Sequence, residues 1–298
     1  MKANLFKDKI YFKHESSGKS FIEVNTSLTT ATISLNGGQI LSWHPKKEKE
    51  PVLWVSNAAT YKFGKPIRGG IPICWPWFGP HPDNATLPNH GVARICPWIL
   101  SSIRIHDDSI VDIQLTLTNL DNFKHKHLFK WLDLVKLTVN YRISDTLEIS
   151  LTTKNNHDSC EITLTEGLHT YFNVGHIKKI QIDGLSGCEY VDLVKDNKRG
   201  LQKEPLTFEK EIGRVYINTD STCIITDDIF NRQIIVEKKG SFSTVVWNPW
   251  INSAANLPDM GPESWQNMVC LESANAYENE ISILPLGEHS LVTKYSLK

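Results

Sequence analysis

The sequence contains no cysteine pair spaced as C-x-x-C. Its six cysteines (Cys74, Cys96, Cys160, Cys188, Cys223 and Cys270) are scattered. That spacing argues against a structural zinc site and reads as reduced, mostly buried thiols. No run approaches the roughly 18 consecutive apolar residues of a membrane span. The first residues, Met1 to Asp8, lack the apolar centre of a signal peptide, so a cytoplasmic protein without a membrane partner is expected. Neither charge sign dominates: 32 Lys and Arg stand against 33 Asp and Glu, a formal net charge of −1. That balance excludes a broad basic surface for nucleic acid and an acidic disordered chain. There is no repeat of fixed period, no low-complexity tract and no Gly/Ser linker. The charged stretches Lys46–Glu50 and Lys195–Lys203 are the length of surface loops. Helical periodicity is also scarce, the best case being a short segment around Glu263–Asn267 after Pro262.

What remains is mostly the two-residue period of strands. Leu137, Val139, Tyr141 and Ile143 alternate with polar residues, Leu147, Ile149 and Leu151 do the same, and Ser144-Asp145-Thr146 forms the turn between them. Similar runs cover Phe21–Val24, Thr30–Leu35, Ile110–Thr118, Lys179–Ile182, Thr222–Thr226, Gln233–Glu237, Ser243–Val246 and Glu280–Pro285. Many short strands without β-α-β alternation predict an all-β fold, a large antiparallel sandwich or barrel, formed by residues 1–298 as one domain. Nine tryptophans among 298 residues are many. Indoles stack on sugar faces, but large aromatics also fill a large core, and from composition alone the core is the favoured explanation.

Five segments carry side chains suited to chemistry. Between Gly64 and Pro82, five prolines from Pro66 onward remove ladder donors, so this aromatic stretch is expected to be a rigid loop. Within it Arg68 precedes Gly69-Gly70, which would let a ligand approach the backbone. In Pro88-Asn89-His90-Gly91-Val92-Ala93-Arg94, a titratable ring lies four residues from a fixed cation. Arg68 and Arg94 could present forks to a phosphate or carboxylate, although each alone is more often an ion-pair residue. His169 lies among apolar and aromatic neighbours in Leu164–Asn173. It could be a hydrogen-bonded core residue or a proton carrier near neutral pH. The last two segments are Val245–Trp250 and Met268–Asn275. In the second, Glu272 ends an apolar run, where a carboxylate must be paired or functional because burying it alone is costly.

Taken together and in order, these segments resemble the aldose 1-epimerase (mutarotase) superfamily, and more closely its glucose-6-phosphate 1-epimerase branch. The matching stretches are Gly37–Trp43, Arg68–Pro72, Trp75–Gly79, His90–Arg94, Leu168–Phe172, Trp247–Trp250 and Cys270–Glu272, which span nearly the whole chain. The resemblance implies a galactose mutarotase-like β-supersandwich with one open pocket. It also implies a cofactor-free isomerase, without a catalytic metal, that interconverts the anomers of a hexose 6-phosphate. His169 and Glu272 match the positions that carry the proton transfers, Glu272 as base and His169 as imidazolium acid on opposite sides of the hemiacetal. Arg68 and Arg94 match the positions expected to hold the phosphate. His90 is expected close to the sugar, and Gln39 matches a position that lines the pocket. The expected partner is thus a small sugar phosphate bound by a monomer. Trp75, Trp77, Trp247 and Trp250 fall in the pocket motifs, whereas Trp43, Trp54, Trp98, Trp131 and Trp265 are left to the core. One departure stands out. The family commonly has Asp-Arg-Val-Tyr where this chain has Gly213-Arg214-Val215-Tyr216, which removes a carboxylate expected to contact substrate.

Three rival readings follow from the same residues. His90, His169 and Glu272 could form a two-His-one-carboxylate metal triad. The His125-Lys126-His127 pattern could begin a cupin-like site, but no acid follows at ligand spacing. The same fold could also serve a sugar-phosphate sensor without catalysis, or a mutarotase for free hexoses.

Overall fold

The computed structural model describes residues 8–15, 19–106, 109–117 and 133–298. The expected His125-Lys126-His127 pattern and Trp131 lie outside the described residues. The fold is all-β, with antiparallel ladders throughout. An N-terminal four-stranded meander runs through Ile10–His14, Ser20–Asn25, Thr29–Ser34 and Ile40–Pro45.

Two eight-stranded sheets make the body. One has the order Ile180–Asp183, Cys223–Asp227, Arg232–Lys239, Glu288–Leu297, Leu147–Asn155, Val135–Ile143, Ile110–Leu117 and Trp98–His106. Its inward residues are the apolar half of each alternation: Leu137, Val139, Tyr141, Leu147, Ile149 and Leu151 are all at most 2% exposed. The Ser144 turn is a tight hairpin, as its polar residues predict, and the Ser144 hydroxyl donates to the Thr146 carbonyl.

The other sheet carries the site. Its strands run in the order Lys198–Leu201, Glu189–Asp192, Ile212–Tyr216, Ser243–Asn248, Met268–Asn275, Glu166–Leu168 and Ile73–Cys74, and Tyr171–Asn173 also pairs with Met268–Asn275. Every residue of Met268–Asn275 is buried, so both faces of this strand are covered. One face packs on the first sheet: the Thr170 and Tyr295 hydroxyls are 2.7 Å apart, and the Phe172 and Tyr295 rings meet edge to face at 5.7 Å. Toward the opposite face reach side chains from the segments 64–95 and 249–263: Arg68, held by Asp259, bonds the Tyr171 hydroxyl, and His90 meets the ring of His169. A single cluster of buried side chains extends from Ile10 to Tyr295 and includes Trp43, Trp54, Trp98 and Trp265.

Several elements depart from the sequence expectations. The Gly64–Pro82 stretch is loop apart from the two residues Ile73–Cys74, which pair with Gly167 and Leu168. The predicted helical segment is a 3-10 turn, Ser264–Asn267, and the α-helix is instead the six residues Trp250–Ala255. Asn248 explains both. Its side-chain carbonyl accepts from the Trp250 amide, and its NH2 donates to the Trp265 and Met268 carbonyls, which ties the helix to the turn. The ten-residue strand Glu288–Leu297 was not anticipated, because its alternation of Leu291, Thr293 and Tyr295 is diluted by polar residues.

Two tryptophans assigned to the pocket belong to the core. Trp75 is 1% exposed and donates its indole N–H to the Thr153 hydroxyl of the first sheet, and Trp77 is 6% exposed and donates to the Pro88 carbonyl. In both cases a buried indole needs an acceptor, and a neighbouring element supplies it.

Candidate functional site

The register of one strand assembles the site. Leu168 lies opposite Ser273 and Tyr171 opposite Cys270, so the unbroken count between them sets His169 across from Glu272. Directly opposed residues of an antiparallel pair share a face. Residues 103 positions apart in the chain thereby become cross-strand neighbours, and His169 Nδ1 lies 3.5 Å from Glu272 Oε1. The next strand adds Val245 opposite Glu272 and Trp247 opposite Cys270, and the one beyond adds Gly213 opposite Trp247. This shared face therefore displays His169, Tyr171, Cys270, Glu272, Trp247 and Gly213. Glu166, three residues before His169, points to the other face and pairs with His289 at 3.2 Å.

Aromatic rings hold His169 in place. Tyr171 stacks on it with centroids 4.8 Å apart and planes 12° apart, while Trp247 stands edge-on at 6.1 Å. Trp54, assigned to the core from sequence, stacks under Tyr171 at 5.7 Å and supports this column from below. Trp250 instead lies against Trp265, at 4.6 Å.

Arg68 enters from the loop. Its Nη1 donates to the Tyr171 hydroxyl at 3.0 Å, and its Nε and Nη2 both donate to Asp259 Oδ1 at 3.2 Å. The glycines beside it serve a different purpose from the one expected. A Cβ on Gly69 would lie 2.4 Å from Val55 Cα, and one on Gly70 would lie 2.3 Å from the Ile40 carbonyl oxygen. They let neighbouring backbone approach, not a ligand. Gln39 belongs to the same junction: fully buried, it donates to the Gly69 carbonyl at 2.8 Å, and its own Oε1 has no partner among the described residues.

His90 and Arg94 arrive on the following loop. His90 Nδ1 accepts from the Gly79 amide at 3.2 Å, which leaves Nε2 as the protonated nitrogen of the neutral ring. Its ring meets His169 at 5.3 Å and Phe78 at 4.9 Å, both edge to face. Arg94 donates to the Asn89 carbonyl at 2.7 Å, while its buried Nε lacks a partner among the described residues. The structure thus brings His169, Glu272, His90, Arg68 and Arg94 together and sets Gln39 behind Arg68.

Electrostatics sharpen this arrangement. Burial pushes Glu272 well above the usual carboxylate range, an effect that Arg94 only partly opposes. Burial, then repulsion from Arg94 and Arg68, holds His169 well below the usual imidazole range. Burial with Arg94, His169 and Arg68 does the same to His90. Burial also opposes the Arg68 charge, but Tyr171 and Asp259 more than compensate and raise its pKa. Both members of the central pair are therefore driven toward their neutral forms. Glu272 Oε2 and His169 Nδ1 are both buried without a hydrogen-bond partner among the described residues. The pair sits side by side on one face, so both groups meet whatever lies over that face from the same direction.

Three site residues were missed by sequence reasoning: Tyr171, Asp259 and Cys270. Tyr171 was legible in principle, since it is two positions from His169 and must share its face. Asp259 carries no signal of its own. Cys270 forms, with His169 and Glu272, a buried set whose potential metal-ligating atoms lie within 4.8 Å of one another. His90, the third ligand of the alternative triad, is not in this set. Gly213 is buried beside Trp247, and a Cβ there would make ordinary contacts of 3.5–3.6 Å with Leu193, Val194 and Trp247. A carboxylate side chain could begin there without displacing backbone.

Comparison with known proteins shows the family and the fold. A family model described as aldose 1-epimerase matches residues 21–296. A protein of Escherichia coli (strain K12) named "Putative glucose-6-phosphate 1-epimerase" is 36% identical over 260 residues, 87% of this chain and 84% of that protein. A crystal structure of a "putative mutarotase" from Salmonella typhimurium superposes with a TM-score of 0.87 at 30% identity, covering 97% of this chain and 93% of that one. Galactose 1-epimerase from Lactobacillus acidophilus NCFM shares the fold, with a TM-score of 0.71 at 11% identity over 97% and 98% of the two chains.

Proposed function

The chain belongs to the aldose 1-epimerase family, and we propose that it interconverts the α and β anomers of a hexose 6-phosphate, glucose 6-phosphate being the first substrate to test. One observation carries the phosphate part: the cation-forming groups Arg68, Arg94, His90 and His169 converge on one face with too few carboxylates to balance them. Burial holds both histidines low, and the arginines add repulsion. An anion bound here relieves it, and two arginine forks suit a phosphate as a positioning handle. The name of the relative from Escherichia coli supports the same reading, and that of the Salmonella typhimurium structure supports mutarotation without specifying a phosphate.

Anomer exchange removes the proton of the C1 hydroxyl, returns one to the ring oxygen, and lets the opened aldehyde rotate before it recloses. Both oxygens are bonded to C1, so two side-by-side groups 3.5 Å apart can serve them from one direction. The pair needs one proton in total. With both groups neutral, that proton rests on Glu272. A phosphate dianion on Arg68 and Arg94 lessens the repulsion that depresses His169 and favours transfer to the imidazole. The pair then acts as carboxylate base and imidazolium acid, and exchanges roles on reclosure. Each positioned acid or base contributes about 10²–10⁴-fold. Trp247 offers an indole wall for the sugar, and residues 1–298 act as one unit around this site.

The test follows freshly dissolved α-glucose 6-phosphate to anomeric equilibrium by polarimetry. Acceleration by the wild type, lost in Glu272→Gln and His169→Ala, supports the proposal. Equal rates with and without protein end it, and tight binding without acceleration converts the protein to a sugar-phosphate sensor.

A further inference from the structure

Cys270 has no part in anomer exchange, yet its placement gives the site a second chemistry. Cys270 and Glu272 are two positions apart on one strand, and His169 stands opposite Glu272, so all three point to the same face. Their potential ligand atoms lie within 4.8 Å of one another and all three residues are buried. Two of these residues hold polar atoms without a hydrogen-bond partner among the described residues: His169 Nδ1 and Glu272 Oε2. Burying polar groups without partners is unfavourable, and a cation would use both groups at once.

We propose that His169, Cys270 and Glu272 bind a zinc ion reversibly, and that the bound ion inhibits the enzyme. Thiolate, imidazole and carboxylate are the ligand types zinc takes in sites with one open position. Tetrahedral bonds of about 2.0–2.3 Å require ligand separations of about 3.3–3.6 Å. The 3.5 Å between His169 Nδ1 and Glu272 Oε1 already meets this, so only the Cys270 edges need closing, by at most about 1.2–1.5 Å. Zinc displaces two protons to solvent, one from the Cys270 thiol and one from the Glu272 carboxyl, so no oxidant or reductant is involved, and binding weakens as pH falls. The ion occupies both proton carriers at once, and sugar phosphate and zinc therefore exclude each other. Metal binding stands on geometry alone, whereas the inhibition rests on the epimerase reading above.

The test titrates the purified full-length protein with zinc chloride by calorimetry. Cobalt(II) chloride serves as a spectroscopic probe, since a thiolate ligand gives a charge-transfer band in the near ultraviolet. The expected result is one zinc per chain, the cobalt band, and loss of epimerase activity that a chelator reverses and glucose 6-phosphate opposes. Losing a ligand costs at least the roughly 10–100-fold seen for outer-shell changes, so Cys270→Ser and Cys270→Ala should each weaken zinc inhibition by that much or more and abolish the cobalt band. Zinc inhibition of each variant is read against its own zinc-free activity, so a change in that activity leaves the comparison intact. Cys160→Ser, which removes an exposed thiol, should change nothing. No stoichiometric zinc, or zinc binding that survives in both Cys270 variants, overturns the proposal. If zinc binds through Cys270 to a protein without epimerase activity, the metal site stands and the catalytic reading fails.

Discussion

Replacing Glu272 by Gln should separate stability from activity in opposite directions. The two side chains are nearly isosteric, so no cavity opens on a strand whose eight residues are all buried. In the wild type, Glu272 is 2% exposed, with Oε2 unpartnered among the described residues, His169 beside it at 3.5 Å and Arg94 as the cation that opposes its shift. An uncompensated polar group of this kind costs about 1–3 kcal/mol, and more when ionised. The sign of the pH dependence follows. The folded pKa is raised, so the folded state holds the proton more tightly than the unfolded chain. The stability from that proton is fully present below the ordinary carboxylate pKa and is lost as pH rises through the folded value. Each tenfold displacement of that equilibrium is worth about 1.4 kcal/mol. Glu272→Gln removes this loss, so the variant should gain on the wild type as pH rises from 4 toward 8, by about 1–3 kcal/mol at the upper end. The corresponding rise in Tm is about 2–4 °C per kcal/mol or slightly less for a chain of this size. Anomer exchange should fall about 10²–10⁴-fold. The assay pairs thermal unfolding at several pH values with polarimetry on the same preparation. A variant less stable than wild type at every pH refutes the claim that Glu272 is a buried acid without adequate partners.

The pH–rate profile of the wild type should be flat across a wide centre, because activity requires one proton on the His169–Glu272 pair. Its acid limb should lie below the ordinary imidazole range and its alkaline limb above the ordinary carboxylate range; a narrow bell centred on free histidine would contradict both shifts. Gly91→Ala should unfold at lower temperature by more than the roughly 1–2 kcal/mol of a left-handed alanine. Its Cβ would lie 2.0 Å from the Trp75 carbonyl oxygen at φ +74°, and thermal melts that match wild type would exclude this contact.

The sheets were legible wherever one face is buried and the other wet, as in Leu137–Ile143 and Leu147–Leu151, because alternation then writes burial into the sequence. Met268–Asn275 is covered on both faces and reads as an apolar run, so its length and its neighbours were invisible. The motif residues His169 and Glu272 were found, but their union depends on a register that only pairing reveals. The Gly69-Gly70 pair was visible while its reason was not. Backbone crowding by Val55 and Ile40 comes from segments distant in sequence. Asp259 was hidden for the same reason, since 191 positions separate it from the guanidinium it holds.

The two arginines look equivalent in sequence and are not equivalent in the structure. Arg68 is tied by three donors to Asp259 and the Tyr171 hydroxyl, and its side chain is 19% exposed. Among the described residues Arg94 donates to the Asn89 backbone carbonyl, and its buried Nε has no partner. A phosphate must compete with Asp259 for Arg68, whereas it meets Arg94 nearly free. Arg94→Gln should therefore raise KM for glucose 6-phosphate more than Arg68→Gln does, by the roughly 1.5–3 kcal/mol of a bond to a charged group, or about 10–150-fold. KM for free glucose should hardly move. Arg68→Gln should cost more stability, because it strands Asp259 and loosens the Tyr171 column under His169. Steady-state kinetics on both sugars, with melts of both variants, measures the two orders together. If Arg68→Gln has the larger effect on KM and the smaller on Tm, Asp259 does not hold Arg68 in the working enzyme, and the phosphate contacts must be assigned the other way round.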